Sequence, residues 1–429
     1  MKTDGSMKPD EIKRLVEQIH HERNIDHEVV FVIIEQALAL AARKHGDGGD
    51  DSVVDVRIDR QTGEIYAYRD NLPLANSEIA ERIGAQTAKQ VIIQKIRDAE
   101  RDMIFDEYSP LVGQVVSGYV LRNEGKSNVT YVTLPGVEAI LPYSEKIPRE
   151  NYRPDTRIQA LVIEVKKVGA KVKVVLSRSR PLFVQRLFEQ EIPEIAEKTI
   201  EIVNVSREPG RRSKVAVYSN DPRIDLIGAC VGVRGARSRA ITDELGGERV
   251  DVVPWSADTA EYIRNALKPA VVDEIMLCTM LGRAIVLVQR DQRSLAIGRG
   301  GQNVRLASRL CNWDVDVMNR DELDEIVEKA MEDFLSIEGV SEDLADALVG
   351  QGFLSFDDLS IIEPSDLMSL GSLTEEQVEA ITQEAERLAL EEEAKKAEIK
   401  RLEQEELKKQ REKQQFREES SEENNSSLS

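Results

Sequence analysis

Two short glycine loops carry the residue types in this chain best suited to binding a polyanion: Gly232-Val233-Arg234-Gly235 and Gly298-Arg299-Gly300-Gly301. A turn bounded by glycines exposes backbone N–H groups, and a phosphate chain can approach them closely where no side chain stands in the way. Arg234 and Arg299 place a cation inside each loop, and Arg237, Arg239, Arg305 and Arg309 lie on or just before the helical runs that follow. Several cations facing one polyanion would add their phosphate contacts. Gln302 and Asn303 open the second of these runs, where a side-chain amide either meets phosphate and base edges or caps the helix. The expected contact set is Gly232, Val233, Arg234, Gly235, Arg239, Gly298, Arg299, Gly300, Gly301, Gln302, Asn303 and Arg305.

Other chemistries find little support. No GxxxxGK[ST] loop is present, and Gly298-Arg-Gly300-Gly-Gln-Asn303 lacks the last glycine of a dinucleotide fingerprint. The four histidines, His20, His21, His27 and His45, all precede residue 46 and show no metal-ligand spacing. Cys230, Cys278 and Cys311 form no CxxC pair and sit in apolar company, as buried thiols of a reducing compartment do. No serine or cysteine lies in a nucleophile motif. The expectation is a protein without catalytic residues, bound metal or cofactor. The first twenty-five residues have no apolar h-region, and the run Val29–Ile34 stops at Glu35, so a cytoplasmic protein without a membrane span is expected.

Both loops sit in the same setting. Each follows an apolar helical run, precedes an arginine-bearing one and leads to an alternating strand, Arg249–Val253 in the first copy and Trp313–Val317 in the second. Gly232 and Gly298 are 66 residues apart, and Arg239 and Arg305 match at the same offset, so the chain carries two copies of one module. Upstream, residues 110–180 show five short β-rich runs parted by Gly, Pro and Asn, the pattern of a small OB-type barrel. Tyr119 and Tyr131 are the aromatics on its strands, and Lys166, Lys167, Lys171 and Lys173 surround its last hairpin. Ahead of the barrel, helical periodicity over 9–44, a hairpin from Val53 to Tyr68 and a helix from Ser77 to Phe105 make an α+β head.

Charge divides along the same lines. The whole chain has 58 basic and 79 acidic residues, a net charge of -21, yet residues 110–320 hold 32 basic and 25 acidic. Residues 1–109 hold 15 and 22, and residues 321–429 hold 11 and 32. A basic middle between acidic flanks points to a polyanionic partner that the total charge conceals. From Asp321 the chain is acidic and helical, with hairpin signals at Ile337–Val340 and Leu370–Leu373 and a capping box opening at Thr374, followed by a charged stretch that reads as solvated helix or disorder.

The order of these parts, together with Gly84–Arg97, Leu176–Pro181, Glu191–Ile195, Gly228–Gly235, Val253-Pro-Trp-Ser256 and Ala296–Ser308, resembles the NusA family of bacterial transcription elongation and termination factors over about residues 7–320. The resemblance implies a multidomain α+β chain: an RNA polymerase-binding head at 1–109, an S1 (OB-fold) barrel at 110–180, K-homology (KH) modules at 181–256 and 257–320, an acidic helix-hairpin-helix-like domain at 321–390 and a charged tail at 391–429. It implies a monomeric, non-enzymatic factor whose two loops clamp nascent single-stranded RNA, about four nucleotides for each KH module. Pausing, intrinsic termination and antitermination are then modulated, in the company of other antitermination factors. Two departures stand out. Ala139–Tyr143 lacks the histidine of the Phe/His stacking pair of many S1 domains, and residues 335–390 make one acidic repeat where some relatives have two. An RNA-processing or ribosome-associated protein using the same modules is the competing expectation.

Overall fold

The computed structural model describes residues 9–23, 25–44, 54–69, 72–73, 85–125 and 128–426. They divide into two units, one of residues 1–191 with 239–248 and one of residues 192–238 with 249–429.

The first unit opens with helices α1 (Pro9–Arg23) and α2 (His27–Lys44), so the helical periodicity over 9–44 belongs to two helices. Strands β1 (Val54–Ile58) and β2 (Ile65–Arg69) form the expected hairpin, with Val54 opposite Arg69, and β3 (Leu72–Pro73) adds a short third strand that the sequence pattern did not announce. Ile12, Val16, Ile34, Leu38, Val56 and Ile92 share one apolar core. The last of these sits on α3 (Ala85–Tyr108). The expected start of that helix at Ser77, the stretch through Gly84, Val53 and His45 lie outside the described residues.

Helix α3 runs into a closed five-stranded barrel of β4 (Val115–Glu124), β5 (Val129–Leu134), β6 (Val137–Leu141), β7 (Arg157–Val168) and β8 (Lys171–Ser177), in the order β4-β5-β6-β8-β7. The alternating inward residues Val120, Val132, Leu141, Val162, Val174 and Leu176 fill it. Tyr119 is exposed, and Tyr131 lies under the Arg122 guanidinium, 4.0 Å from its ring centroid. Lys167 is not a free solubilising charge: its Nζ is 2.7 Å from Asp102 on α3 and sits over the Phe105 ring. Next comes α4 (Pro181–Glu191), where Arg186 Nε donates to Gly113 O at 2.8 Å. Arg178, just after β8, is almost fully buried. It bonds Glu150 at 2.6 Å, Glu244 Oε1 at 2.8 Å and the Glu244 carbonyl at 2.6 Å.

The second unit begins with α5 (Pro193–Ala196) and then repeats one topology. In the first copy, β9 (Glu201–Glu208) and β10 (Arg212–Tyr218) are antiparallel, α6 (Leu226–Val231) and α7 (Ala236–Glu244), which belongs to the first unit from Arg239 on, flank the first loop, and β11 (Arg249–Pro254) returns parallel to β10. In the second, α8 (Thr259–Leu267) precedes β12 (Glu274–Cys278) and β13 (Arg283–Leu287). Helices α9 (Arg290–Ile297) and α10 (Gln302–Cys311) then flank the second loop, and β14 (Asp314–Met318) runs parallel to β13. A parallel return needs a crossover, and the helix-loop-helix supplies it. The alternation of β13 sends Ala284 and Val286 into a core with α8 and α10 that also takes Ala216 and Val253 from the first copy. The two modules therefore share one apolar interior.

Ile285 and Leu287 point to the opposite face of that sheet, where Leu323 of α11 (Arg320–Leu335) and Leu354 cover them. Helices α12 (Glu342–Gly350), α13 (Phe356–Ser360), α14 (Pro364–Gly371) and α15 (Glu375–Ser426) complete an acidic helical domain around Phe334, Phe353, Leu359 and Ile381. Asp358 forks onto Arg283 of β13 at 2.7 and 2.9 Å. The Sγ of Cys278 lies so close under Gly352 that an added Cβ would come within 2.0 Å of it. The expected capping box forms at the start of α15, with Thr374 N donating to Gln377 Oε1 at 3.0 Å. The charged stretch after it continues as one helix to Ser426.

Candidate nucleic-acid interface

The two loops adopt the same backbone. Gly232 has φ 74° and ψ 175°, and Gly298 has φ 74° and ψ 172°. This is a region open essentially to glycine alone. At the third position, Arg234 (φ 53°, ψ 26°) matches Gly300 (φ 62°, ψ 31°), and the fourth glycines, Gly235 and Gly301, have φ 75° and 71°. A left-handed conformation costs an ordinary residue about 1–2 kcal/mol, so Arg234 is held in a strained position that its repeat gives to glycine.

Both loops use their amides alike. The first and fourth glycines bond inward: Gly232 N to Gly228 O (2.8 Å) and Gly235 N to Gly232 O (3.1 Å) in one loop, Gly298 N to Ser294 O (3.0 Å) and Gly301 N to Gly298 O (3.1 Å) in the other. The middle amides, those of Val233 and Arg234 and of Arg299 and Gly300, have no hydrogen-bond partner among the described residues. All four residues are exposed, Val233 by 84%. Each loop thus offers two adjacent outward N–H donors, the arrangement that receives an anion.

The side chains fall into three groups. Arg234 and Arg299 are exposed on the loops, and Arg239 and Arg309 are exposed on the helices after them. Arg305 is half-exposed and already engaged: its Nε donates to Glu208 Oε1 at 2.7 Å and its Nη1 to Gly300 O at 3.3 Å. Glu208, at the end of β9, also accepts from Gln302 Nε2 at 2.8 Å, so a carboxylate of the first module pins two residues of the second. Burial would raise the Glu208 pKa, but the Arg305 and Gln302 hydrogen bonds and the nearby Arg309 charge outweigh it and hold the group below the usual carboxylate range.

The third group corrects the sequence reading. Asn303 is 1% exposed, and its Nδ2 faces the carbonyls of Leu267 (3.0 Å), Ala296 (3.1 Å) and Leu295 (3.3 Å), so its amide is directed into the protein. It neither meets a base edge nor caps its own helix. Arg237 is likewise drawn inward, with Nη1 2.6 Å from Ala229 O and 2.8 Å from Glu194 Oε2. The sequence pattern did not single out Glu208 or Glu194, because an acidic residue distant in sequence gives no local signal that it will fold against an arginine.

No group of His, Cys, Asp and Glu that could hold a metal ion occurs among the described residues. The three cysteines are free and buried, and burial pushes the Cys230 and Cys311 thiols up to about 11 and about 12, away from reactive thiolate. No helix among the described residues is long and apolar enough to cross a membrane.

An OB-type barrel and a tandem pair of KH modules with exposed, arginine-bearing loops define a multidomain binding protein of the nucleic-acid class. Family models agree in detail: residues 178–255 match a NusA-like first KH domain, residues 259–325 a NusA-like second KH domain and residues 11–78 a NusA N-terminal domain. The chain is 45% identical over 260 residues to the transcription termination/antitermination protein NusA of Thermus thermophilus, covering 60% of this chain and 67% of that one. It is 35% identical over 339 residues to the protein of the same name from Bacillus subtilis, covering 72% of this chain and 90% of that one. The chain belongs to the NusA family of transcription termination/antitermination proteins.

Proposed function

We propose that this chain works as a non-catalytic transcription termination/antitermination factor, holding nascent single-stranded RNA on its two KH loops while its N-terminal head docks on RNA polymerase. The observation that carries the RNA half is the pair of partnerless middle amides in each of two loops with the same backbone, each beside an exposed arginine. Two main-chain donors and a guanidinium suit a phosphodiester, which every nucleotide presents, so the grip is largely indifferent to sequence. The polymerase half rests on family membership and on the match of residues 11–78 to the family's N-terminal domain. Contacts with other antitermination factors, a monomeric state and a cytoplasmic location are part of the same reading.

The test has two arms. Single-stranded RNA should bind the full chain with an affinity that falls steeply as salt rises, by a log–log slope of about 0.7 for each phosphate contacted. Polymerase should be retained by the full chain and lost when residues 1–109 are removed. Salt-insensitive RNA binding, or copurification with ribosomal subunits instead of polymerase, would reject the reading.

A further inference from the structure

We infer that Arg237 and Asn303 are equivalent positioning residues that brace the two RNA loops from behind. The inference deepens the clamp reading above and rests on it. Arg237 and Asn303 stand 66 residues apart, the same offset as Gly232 and Gly298, and so do Ala229 and Leu295. In each module the side chain at this helix position reaches back across the turn to the carbonyl at the matching position of the helix before it, Arg237 to Ala229 O and Asn303 to Leu295 O. Each brace also has a second anchor outside the helix pair: the Glu194 carboxylate at 2.8 Å in the first module and the Leu267 carbonyl at 3.0 Å in the second. A guanidinium and a carboxamide thus perform one task. Only the donor N–H is common to them.

A Cβ on Gly232 would lie 2.8 Å from Arg237 Cγ and 3.0 Å from its Cδ, and a Cβ on Gly298 would lie 2.8 Å from Asn303 Cβ and 2.9 Å from its backbone N. On the loop crest the opposite holds, since a Cβ on Gly300 would meet nothing within 4 Å. The space at the first glycine is therefore taken up from inside the protein, by the Arg237 side chain in the first loop and by the backbone and Cβ of residue 303 in the second, and is not room kept for RNA. Closing off the last carbonyls of the pre-loop helix in this way fixes where that helix ends, and so where the next two N–H groups point.

The test compares RNA affinity and its salt dependence in the full chain, with single-stranded oligonucleotide as the probe. Arg237→Met and Asn303→Ala should each weaken binding roughly five-fold, the equivalent of about one hydrogen bond, with no change in salt slope because no phosphate contact is lost. Arg237→Lys, which keeps the reach to Ala229 O, should restore most of the affinity. A fall in slope of about 0.7 with Arg237→Met would make Arg237 itself a phosphate ligand and overturn the inference, as would unchanged affinity in both variants. Glu194→Ala, a change at a partly exposed residue, guards against variants that fail to fold. Loss of its anchor should loosen the brace and weaken binding, whereas tighter binding with a steeper slope would show that the carboxylate had been restraining an RNA-contacting arginine. Arg299→Ala in the same assay tests the clamp reading separately: a normal slope there would sink the clamp, and the brace with it, by a different result.

Discussion

Gly300 is the position where charge can be altered on the crest of an RNA loop with the least damage to the fold. Its φ of 62° lies in the left-handed region, and a Cβ built there meets nothing within 4 Å. The first module already holds Arg234 in the same conformation, so an ordinary side chain is tolerated. Left-handed backbone costs about 1–2 kcal/mol, less for Asp, and removing glycine's extra freedom from the unfolded chain returns about 0.4–1 kcal/mol. Gly300→Asp and Gly300→Arg should therefore each cost no more than about 1.6 kcal/mol of stability. Binding is another matter. A carboxylate about 6 Å from a phosphate is repelled by about 0.7 kcal/mol at bulk-water permittivity and about 2.8 kcal/mol at an effective permittivity of about 20. Gly300→Asp should then weaken RNA binding roughly three- to hundred-fold at low salt, and Gly300→Arg should strengthen it and steepen the salt slope by about 0.7. Fluorescence anisotropy of a labelled single-stranded oligonucleotide over a salt series measures both. Opposite charges giving the same affinity, with thermal unfolding unchanged, would refute the placement of phosphate over this loop.

Three further outcomes follow from the contacts described. Glu208→Gln keeps an acceptor for Arg305 but removes a negative charge beside the second loop, so RNA affinity should rise about two- to five-fold at low salt and return to wild type at high salt; weaker binding would contradict this. Arg178→Met fills a similar volume but strips two part-buried carboxylates, Glu150 and Glu244, of their cation, and should cost about 3–5 kcal/mol of stability in urea unfolding; a cost below about 1 kcal/mol would show that the network is dispensable. Burial works to raise the Asp358 pKa, but the Arg283 pair and the Leu354 N–H hold it below the usual carboxylate range. Its folded pKa is thus depressed, so its stabilising effect is present above the unfolded value near pH 4 and is lost as pH falls through the lower folded value. Protection of the amides at residues 353–360, taken relative to the intrinsic exchange rate at each pH, should stay high at pH 6 and fall at pH 3 in the wild type, while Asp358→Asn should show low protection at both.

Much of this architecture was legible because it rests on local, repeating signals. The period-2 runs between residues 112 and 177 became the strands of the barrel, and the 66-residue repeat of glycine loop, helix and strand became two modules with matching backbone angles. Side-chain roles were legible only where solvent decides them. Arg234, Arg239 and Arg299 are exposed as their composition suggests. Asn303 and Arg237 turned inward because carbonyls at the ends of neighbouring helices, Leu267 O and Ala229 O among them, claim their donors, and that competition depends on packing. The same limit explains Glu208 and Asp358, whose partners lie 97 and 75 residues away. The acidic domain was expected as a helical unit, and its attachment to the outer face of the second KH sheet through Asp358, Leu354 and Gly352 became visible only in three dimensions.

The proposed clamp turns on four backbone N–H groups, those of Val233, Arg234, Arg299 and Gly300. Amide hydrogen exchange of the full chain, resolved to single residues, with and without a saturating single-stranded RNA, addresses them directly. These four should exchange fast in the free protein, having no partner among the described residues, and slow markedly in the complex, while the already bonded amides of Gly232 and Gly298 change little. RNA that binds tightly yet leaves all four amides exchanging at their free rates would contradict the clamp.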